Sequence, residues 1–498
     1  MKGPISRRAF LGGAAAFAAA APALANAPAQ SLRPVARGEM LLAMASTPPE
    51  ELIAKAKLNG QVTYCVADVA TGEIIERMGP NVGLPPASVA KAITAAYALE
   101  VLGPDHRFRT RLLAAGPVVD GVLKGDLILA GGADPTLDTD GLHGLANALK
   151  DAGITGVEGG FLVFGGGLPT APAIDAAQPD HVGYNPAVSG LNLNFNRVHF
   201  EWRRNGSNYA VSMDARSRTL RPDVHVARMK VITRDVPIYT YEDSGVSDNW
   251  TVARGALGNG GARWLPVRKP EIYAGEVFQT FARSVGIELS AAKLLADLPD
   301  GVTELAAHVS APLAVILRDM LKFSTNLTAE VVGMATTAAR LGEVTSFRMS
   351  AAEMSAWANE SFGTDGIALV DHSGLGDKSR VEAPDMVALL VGVRDRLEMQ
   401  PLLKEIPMRD GNRKIVQNHP AKVRAKTGTL NFVSGLAGYL DGADGKTLAF
   451  AIFAADTDRR DGLTKDEREN PPGAASWNAR AKILQQKLLD RWFALHAS

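Results

Sequence analysis

The sequence predicts a mixed α/β fold in which one α/β domain is divided by a large, mainly β insert. Three observations support this prediction. The chain has 498 residues, 46% of them hydrophobic, which is enough for two or three domains with sizeable cores. A long apolar helix is predicted before residue 110, and helices and strands return after residue 294. Between them, short β-like runs are separated by turns rich in Gly, Pro and Asn.

The beginning of the chain has the features of an export signal. Lys2, Arg7 and Arg8 precede an apolar stretch that ends in a small-residue cleavage site at Ala25. The flanking Ser and Phe-Leu favour a twin-arginine signal, which exports folded proteins, over an ordinary secretory signal with two chance arginines. We therefore expect residues 1–25 to be a twin-arginine-like signal peptide and the mature protein to be periplasmic.

Composition excludes several classes of function. With 53 basic and 53 acidic residues the formal net charge is +0, so nothing indicates binding to nucleic acid. After the signal, no segment has the roughly 18–20 uninterrupted apolar residues of a transmembrane helix, and we expect none in the mature chain. Cys65 is the only cysteine, which excludes an intrachain disulfide. Its strand-like surroundings predict a packed small hydrophobe rather than a catalytic thiol.

The α/β domain is expected in two parts, 51–110 and 295–498, with a linker at 26–50 and the insert at 111–294. Expected before the insert are a hairpin, 61–67 with 73–76, and a helix from Ser88 to about Leu102 whose Ala-rich sequence predicts burial on nearly every side. Expected in the insert are strands at 127–129, 160–164, 198–202 and 238–241 and one helix, 142–152. Expected after it are helices at 311–323, 327–341 and 475–496 and strands at 423–425, 432–440 and 447–455.

Ser88 and Lys91 form the first motif that carries chemistry. A serine hydroxyl is a poor nucleophile until a base takes its proton, and a lysine three residues later on a helix lies on the same face. Burial and neighbouring cations favour the neutral amine that can act as this base. The same spacing recurs at Ser290 and Lys293, but that copy opens no long apolar helix. We therefore predict Ser88 as the nucleophile and Lys91 as its base.

The second motif is Lys426-Thr427-Gly428, followed by Thr429, on a predicted strand. Lys426 can attract a carboxylate, and the two threonine hydroxyls can donate hydrogen bonds to it. Gly428 removes a side chain where we expect a substrate backbone to approach closely. This pattern occurs once in the chain, so it is more specific than the first motif.

The third motif should be S-x-N, which offers a hydroxyl to relay a proton and an amide to hold a substrate. Ser247-Asp248-Asn249 lies among the β-like runs of the insert, and Ser476-Trp477-Asn478 follows the K-T-G strand, in the wrong order. Ser324-Thr325-Asn326 lies in a turn between two predicted helices, where a loop can present both groups to a cleft. Order and context favour this third copy.

The motifs S-x-x-K, S-x-N and K-T-G, in this order, are the signature of penicillin-binding proteins and β-lactamases. From about residue 50 to 455 the chain resembles class C penicillin-binding proteins of type 4, the serine D-Ala-D-Ala carboxypeptidase/endopeptidases. The resemblance implies a penicillin-binding-protein/β-lactamase-like domain with an antiparallel sheet flanked by helices. Beyond the motifs, the similar segments are 125–137, 273–278, 324–330, 373–375 and 424–430.

The resemblance also implies a role for each motif residue. Ser88 would attack the peptide carbonyl between two D-alanines and form an acyl-enzyme, with Lys91 taking its proton and Ser324 passing a proton to the leaving amine. The groups that would bind substrate are Asn326 on the acyl side, Lys426, Thr427, Gly428 and Thr429 at the terminal carboxylate, and the backbone N–H groups of Ser88 and Thr429 as the oxyanion hole. Neither a metal nor an organic cofactor is needed. The expected partners are peptidoglycan stem peptides and the β-lactams that inhibit such enzymes.

Two residues depart from the family pattern. Thr325 replaces the usual Asp at a position that the chemistry does not use. His372 stands where the family more often has Gly. A Ser-His-Asp triad at this position would need a nucleophile elbow, and the sequence has none. We therefore expect His372 to be a structural turn residue.

Other functions remain open from the sequence alone. One is a β-lactamase or esterase of the same fold, although fast β-lactam hydrolysis needs an extra base for deacylation. Another is a non-catalytic cell-wall-binding protein. The sequence also leaves open whether carboxypeptidase or endopeptidase activity dominates.

Overall fold

The computed structural model describes residues 45–410 and 414–496. The predicted signal peptide and most of the predicted linker lie outside those residues. The first elements are α1 (Pro49–Ala56), β1 (Gln61–Asp68), β2 (Ile74–Met78) and α2 (Ala90–Leu102). Strands β1 and β2 form the predicted antiparallel hairpin. A single 3-10 turn, Ala87–Val89, leads into α2, so the helix begins two residues later than we expected.

The middle of the chain consists mainly of short strands, as the sequence predicts. They are β3 (Arg109–Ala115), β4 (Val118–Val119), β5 (Val122–Leu123), β6 (Asp126–Ala130), β7 (Gly156–Val157), β8 (Phe161–Phe164), β9 (Arg197–Asn205), β10 (Asn208–Asp214), β11 (Ala227–Ile232), β12 (Tyr239–Asp243), β13 (Asp248–Ala253), β14 (Gly260–Pro266), β15 (Lys293–Leu295) and β16 (Thr303–Val309). These strands form a five-stranded sheet, β15-β8-β6-β3-β16, and three small sheets, β4-β5-β7, β10-β9-β14 and β11-β13-β12.

The prediction of a single helix in this region is wrong. Besides the expected α3 (Thr139–Asp151), the structure contains α4 (Pro270–Ser284). A signal for α4 was present in the sequence, because Pro270 occupies the first turn and buried apolar residues such as Tyr273, Val277 and Phe281 recur at helical spacing. The helix was not predicted because the β-like runs around it favoured an interpretation of the whole region as short strands.

After the insert, helices and strands complete the divided domain. They are α5 (Leu313–Phe323), α6 (Asn326–Leu341), α7 (Phe347–Phe362), β17 (Ile367–Ala368), β18 (Arg380–Val381), α8 (Ala383–Val393), α9 (Met399–Leu402), β19 (Lys404–Ile406), β20 (Lys422–Leu430), β21 (Val433–Asp441), β22 (Thr447–Ala455), α10 (Thr457–Asp461) and α11 (Ala474–His496). Helices α5, α6 and α11 and strands β20 to β22 agree with the prediction, whereas α7 and α8 were not predicted.

One antiparallel sheet joins the two parts of this domain, in the order β19-β20-β21-β22-β1-β2. Strand β1 pairs with β22 along its whole length, so the hairpin before the insert closes onto strands that follow it. One face of the sheet packs against α2 and α8 and the other against α1 and α11. The fold is therefore an antiparallel sheet flanked by helices on both faces, as predicted.

Helix α2 is the innermost of these helices. Every residue from Ala90 to Leu99 is buried, including Lys91, because the helix lies between the sheet and helices α6 and α7. A row of alanines allows this close packing, since a small side chain lets neighbouring backbones approach. Within the described ranges, no helix combines the length and apolar character that crossing a membrane requires.

Candidate active site

Lys91 brings the predicted first and third motifs together. Its side chain is fully buried, and its Nζ donates to Ser88 Oγ at 3.0 Å, to Asn326 Oδ1 at 2.7 Å and to the Ser373 carbonyl at 2.7 Å. Ser88 lies on the 3-10 turn before α2 and is partly exposed, so its hydroxyl faces the open side of this arrangement. The lysine thus links three separate segments of the chain at the serine.

The surroundings of Lys91 set its protonation. Burial lowers the pKa of Lys91 to about 8, while the nearby carboxylates of Glu330 and Asp371 act in the opposite direction. Desolvation has the larger effect because the ammonium receives no hydration from bulk water at this depth. About a tenth of Lys91 is therefore the neutral amine at pH 7, far more than for a lysine in water.

Lys426 brings the second and third motifs together. Its Nζ donates to Ser324 Oγ at 3.0 Å and to the Thr427 carbonyl at 2.7 Å. Burial, together with the neighbouring charge of Lys91, lowers the pKa of Lys426 to about 6. Ser324 occupies the left-handed conformation that ends α5, with φ 61°, and this turn directs its hydroxyl towards the strand.

Gly428 allows strand β20 to approach the turn that carries Ser88. A Cβ atom at this position would lie 2.5 Å from the Pro86 carbonyl oxygen and 3.1 Å from Ser88 N. The chain's own backbone thus already requires a glycine at this position, whether or not a substrate backbone also approaches it. The glycine therefore holds the strand beside the serine.

The remaining predicted residues lie along the same strand. Thr427 and Thr429 are exposed and line a groove of about 960 Å³ between β20 and α11. Strand β19 pairs only with residues 423–425 of β20. From Lys426 onward, the outer edge of β20 therefore has no strand partner among the described residues, and an extended peptide could add to it.

The rejected copies of the motifs lie elsewhere. Ser290 precedes β15 and accepts a hydrogen bond from Phe161 N at 3.0 Å. Asp248 is buried in β13, where Tyr241 and Arg268 donate to it. Asn478 lies in α11 and donates to the Leu430 carbonyl. None of these copies contacts Ser88 or Lys91 in the part of the chain that the structure describes.

Sequence reasoning missed the buried support for Lys91. Glu330 is fully buried, and its two carboxylate oxygens accept from His372 N at 3.1 Å and Ser373 N at 2.9 Å. It thereby fixes the segment whose Ser373 carbonyl accepts from Lys91. The sequence could have indicated Glu330, because it lies four residues after Asn326 and the two residues therefore share one face of a helix.

His372 is a packed residue, as the sequence analysis expects. Its side chain is buried beside Ser350 Oγ at 2.8 Å and Met354 Sδ at 3.3 Å. Burial lowers the pKa of His372 to about 3, so the ring is neutral. Its carbonyl accepts from Thr94 Oγ1 at 2.7 Å, which anchors the segment to α2.

Comparison with known proteins adds independent findings. The sequence model of the D-Ala-D-Ala carboxypeptidase 3 (S13) family matches residues 49–470. The chain is 29% identical over 424 residues to the D-alanyl-D-alanine carboxypeptidase of an Actinomadura species, covering 79% of this chain and 78% of the relative. It is 25% identical over 430 residues to the D-alanyl-D-alanine carboxypeptidase DacB of Haemophilus influenzae, covering 81% and 87%.

A solved structure has the same fold. The crystal structure of penicillin-binding protein 4 from Haemophilus influenzae superposes with a TM-score of 0.70 at 22% identity, covering 88% of this chain and 99% of that one. The same protein has also been solved with a β-lactam bound, with a TM-score of 0.68. This likeness confirms the predicted fold class.

Gly428→Ala should disturb the site more than the fold. The added methyl group must displace the Pro86 carbonyl or the strand, which we expect to cost about 1–3 kcal/mol of unfolding free energy. Acylation of the protein by fluorescent penicillin should fall at least about tenfold, since the turn of Ser88 moves. Gly144→Ala, where a Cβ meets nothing within 4 Å, is the matched control. Unchanged acylation in Gly428→Ala would contradict the proposed spacing.

Glu330→Ala should destabilise the protein because two buried backbone N–H groups lose their acceptors. We expect a loss of roughly 2–5 kcal/mol in unfolding free energy, and a smaller loss for Glu330→Gln, which keeps one carbonyl oxygen. Urea denaturation followed by tryptophan fluorescence measures both variants. Exposed Glu360→Gln should leave stability within about 0.5 kcal/mol of the unchanged protein. Equal stability of Glu330→Ala and Glu360→Gln would refute this account.

Proposed function

The chain belongs to the D-Ala-D-Ala carboxypeptidase (S13) family of serine peptidases, and we propose that it hydrolyses D-Ala-D-Ala termini of peptidoglycan stem peptides through an acyl-enzyme on Ser88. One observation carries the assignment of the nucleophile: the buried Lys91 Nζ lies 3.0 Å from Ser88 Oγ. This is the geometry that a general base needs to take the serine proton.

The other two contacts of Lys91 orient its lone pair. Asn326 Oδ1 and the Ser373 carbonyl can only accept hydrogen bonds, so each takes one N–H of the neutral amine. The lone pair then faces Ser88, whose hydroxyl can donate to it. The serine proton passes to Lys91 as Oγ attacks the scissile carbonyl.

Ser324 and Lys426 are suited to the second proton transfer. The amine that leaves must gain a proton, and Ser324 can supply its hydroxyl proton while Lys426, 3.0 Å away, replaces it. The lowered pKa of Lys426 supports this role, because the group can both hold and release a proton near neutral pH. Water then hydrolyses the acyl-enzyme: its hydroxide adds to the acyl carbon and its proton goes to Ser88 Oγ. The proton held by Lys91 must also return to Lys426 before the next turnover.

Substrate binding is assigned to the open edge of β20. The Thr427 and Thr429 hydroxyls would bind the terminal carboxylate and Asn326 the acyl side, with Lys426 and Gly428 shaping the strand between them. The N–H groups of Ser88 and Thr429 would stabilise the oxyanion, and the close approach of Gly428 to Ser88 N supports this. Because the edge of β20 is open from Lys426 onward among the described residues, an extended peptide could continue along it, and the proposal covers D,D-endopeptidase as well as carboxypeptidase activity.

A β-lactamase would need a further base to activate the deacylating water. The two carboxylates nearest Lys91, Glu330 and Asp371, are buried and already accept backbone N–H bonds, from residues 372–373 and from Gly374 and Gly376. Neither is free to orient a water molecule at Ser88. We therefore expect stable acylation by β-lactams, that is, inhibition. Export through the predicted twin-arginine signal to the periplasm, where peptidoglycan lies, completes the proposal.

Ser88→Ala should abolish covalent labelling by fluorescent penicillin and lower the release of D-Ala from stem peptides by roughly 10³-fold or more. Mass spectrometry of the labelled protein locates the modified residue. Ser290→Ala, which removes the serine of the other S-x-x-K copy, should keep both activities. Labelling on Ser290, or D-Ala release that survives in Ser88→Ala, would overturn the assignment.

The acylation rate should follow the protonation of Lys91. The base must be neutral, and the pKa of Lys91 is lowered only to about 8, so the rate constant should rise about tenfold per pH unit below pH 8 and level off above it. Stopped-flow measurement of penicillin acylation between pH 5.5 and 9.5 gives the profile. A rate that is already constant at pH 6 would rule out Lys91 as the titrating base.

A further inference from the structure

The loop of residues 371–377, which follows β17, touches both the base and the turn that carries the nucleophile. The Ser373 carbonyl accepts from Lys91 Nζ at 2.7 Å. Gly374, with φ 74°, lies directly against that turn, because a Cβ atom there would be 1.8 Å from the Ala87 carbonyl oxygen. The position of the 371–377 loop therefore sets where the base stands relative to the nucleophile.

Ion pairs hold the far end of the 371–377 loop. Asp377 accepts through one oxygen from Arg460, with Nε at 2.8 Å and Nη2 at 2.5 Å, and through the other from Arg468 Nη1. Gly376 and Asp377 line an open cleft of about 520 Å³, so this end of the loop faces open space on one side. Both arginines are buried, and against the effect of burial they hold the pKa of Asp377 below its usual value. Because desolvation offsets much of the attraction, such a cluster specifies a geometry more than it adds stability.

The same two arginines also hold the end of β20. Arg460 Nη1 donates to the Asn431 carbonyl at 3.2 Å, and Asn431 Nδ2 donates to the Arg468 carbonyl at 2.5 Å. Asn431 directly follows β20 and lies two residues after Thr429, whose N–H is assigned to the oxyanion hole. One pair of arginines thus joins the loop behind the base to the strand that would stabilise the oxyanion.

The segment that carries these arginines, residues 456–470, is also attached to the insert. Glu469 accepts from Arg263 Nη2 at 2.8 Å through one oxygen, and its other oxygen lies 2.7 Å from His181 Nε2. The segment therefore does not depend on Asp377 for its own position. Loss of the Asp377 charge should release the 371–377 loop while the arginines stay in place.

We propose that Arg460 and Arg468 are positioning residues, which together with Asp377 and Asn431 hold the base and the oxyanion strand at the separation that the reaction needs. The inference rests on the proposed function. Neither arginine contacts the nucleophile or its base among the described residues, so both act through the loop and the strand. The two links act in series, from the loop to the arginines and from the arginines to β20. Breaking either link separates loop from strand, and breaking the second adds little.

Asp377→Asn and Asn431→Ala, alone and combined, test these links by stopped-flow acylation at saturating penicillin. Asp377→Asn should lower the acylation rate constant about 10- to 100-fold and Asn431→Ala at least about fivefold, because a displacement of about 1 Å misaligns the reacting groups. The double variant should be less than about twofold slower than Asp377→Asn, since the links act in series. Asp458→Asn, at an exposed position of the same segment, should keep the unmodified rate constant. The rate constant describes only folded molecules, so a loss of stability alone does not change it.

A second measurement at pH 9.5 separates position from charge. With a pKa of about 8, Lys91 is largely neutral there, and the loss should persist because the reacting groups are displaced. A loss that disappears at pH 9.5, unchanged rate constants in the single variants, or losses that multiply in the double variant would overturn the positioning role and leave Ser88 as the nucleophile. If penicillin does not acylate even the unmodified protein, the proposed function fails and the positioning role fails with it.

Discussion

The site depends on a single buried nitrogen. Lys91 Nζ has three hydrogen-bonding partners, from the turn before α2, the start of α6 and the segment after β17. A lysine at this depth is tolerated only when its polar atom is fully satisfied. The three segments must therefore meet at one point, and that requirement fixes where the Ser88 hydroxyl, the Asn326 amide and the Ser373 carbonyl lie.

The buried charges around Lys91 support one another. Glu330 and Asp371 raise the pKa of Lys91 against the effect of burial, and Lys91 in turn lowers the pKa of Lys426. Burial and the neighbouring Asp371 raise the pKa of Glu330 above its usual range. Both oxygens of Glu330 still accept backbone N–H bonds, an arrangement that suits the ionised form. The site thus obtains a readily deprotonated lysine without leaving any of these groups unpaired.

The insert is connected to the site as well as to the sheet. Through the Tyr184 carbonyl it holds the Asn326 amide, and through Arg197 it contributes a cation beside that amide.

Two buried arginines, Arg460 and Arg468, bind Asp377 and tie the segment after β22 to the loop that follows Ser373. The walls of the site therefore come from regions far apart in the sequence.

From the residues alone, periodicity predicted an α/β domain divided by a mainly β insert, and helix context and motif order favoured Ser88 over Ser290. The antiparallel sheet flanked by helices was implied by the family resemblance. The second helix of the insert, α4, was not predicted. Only the tertiary structure decided that Glu330 and Ser373 support Lys91 and that Gly428 lies against Pro86. Each of these is a contact between segments distant in the chain, and such contacts depend on how helices and strands pack rather than on local pattern.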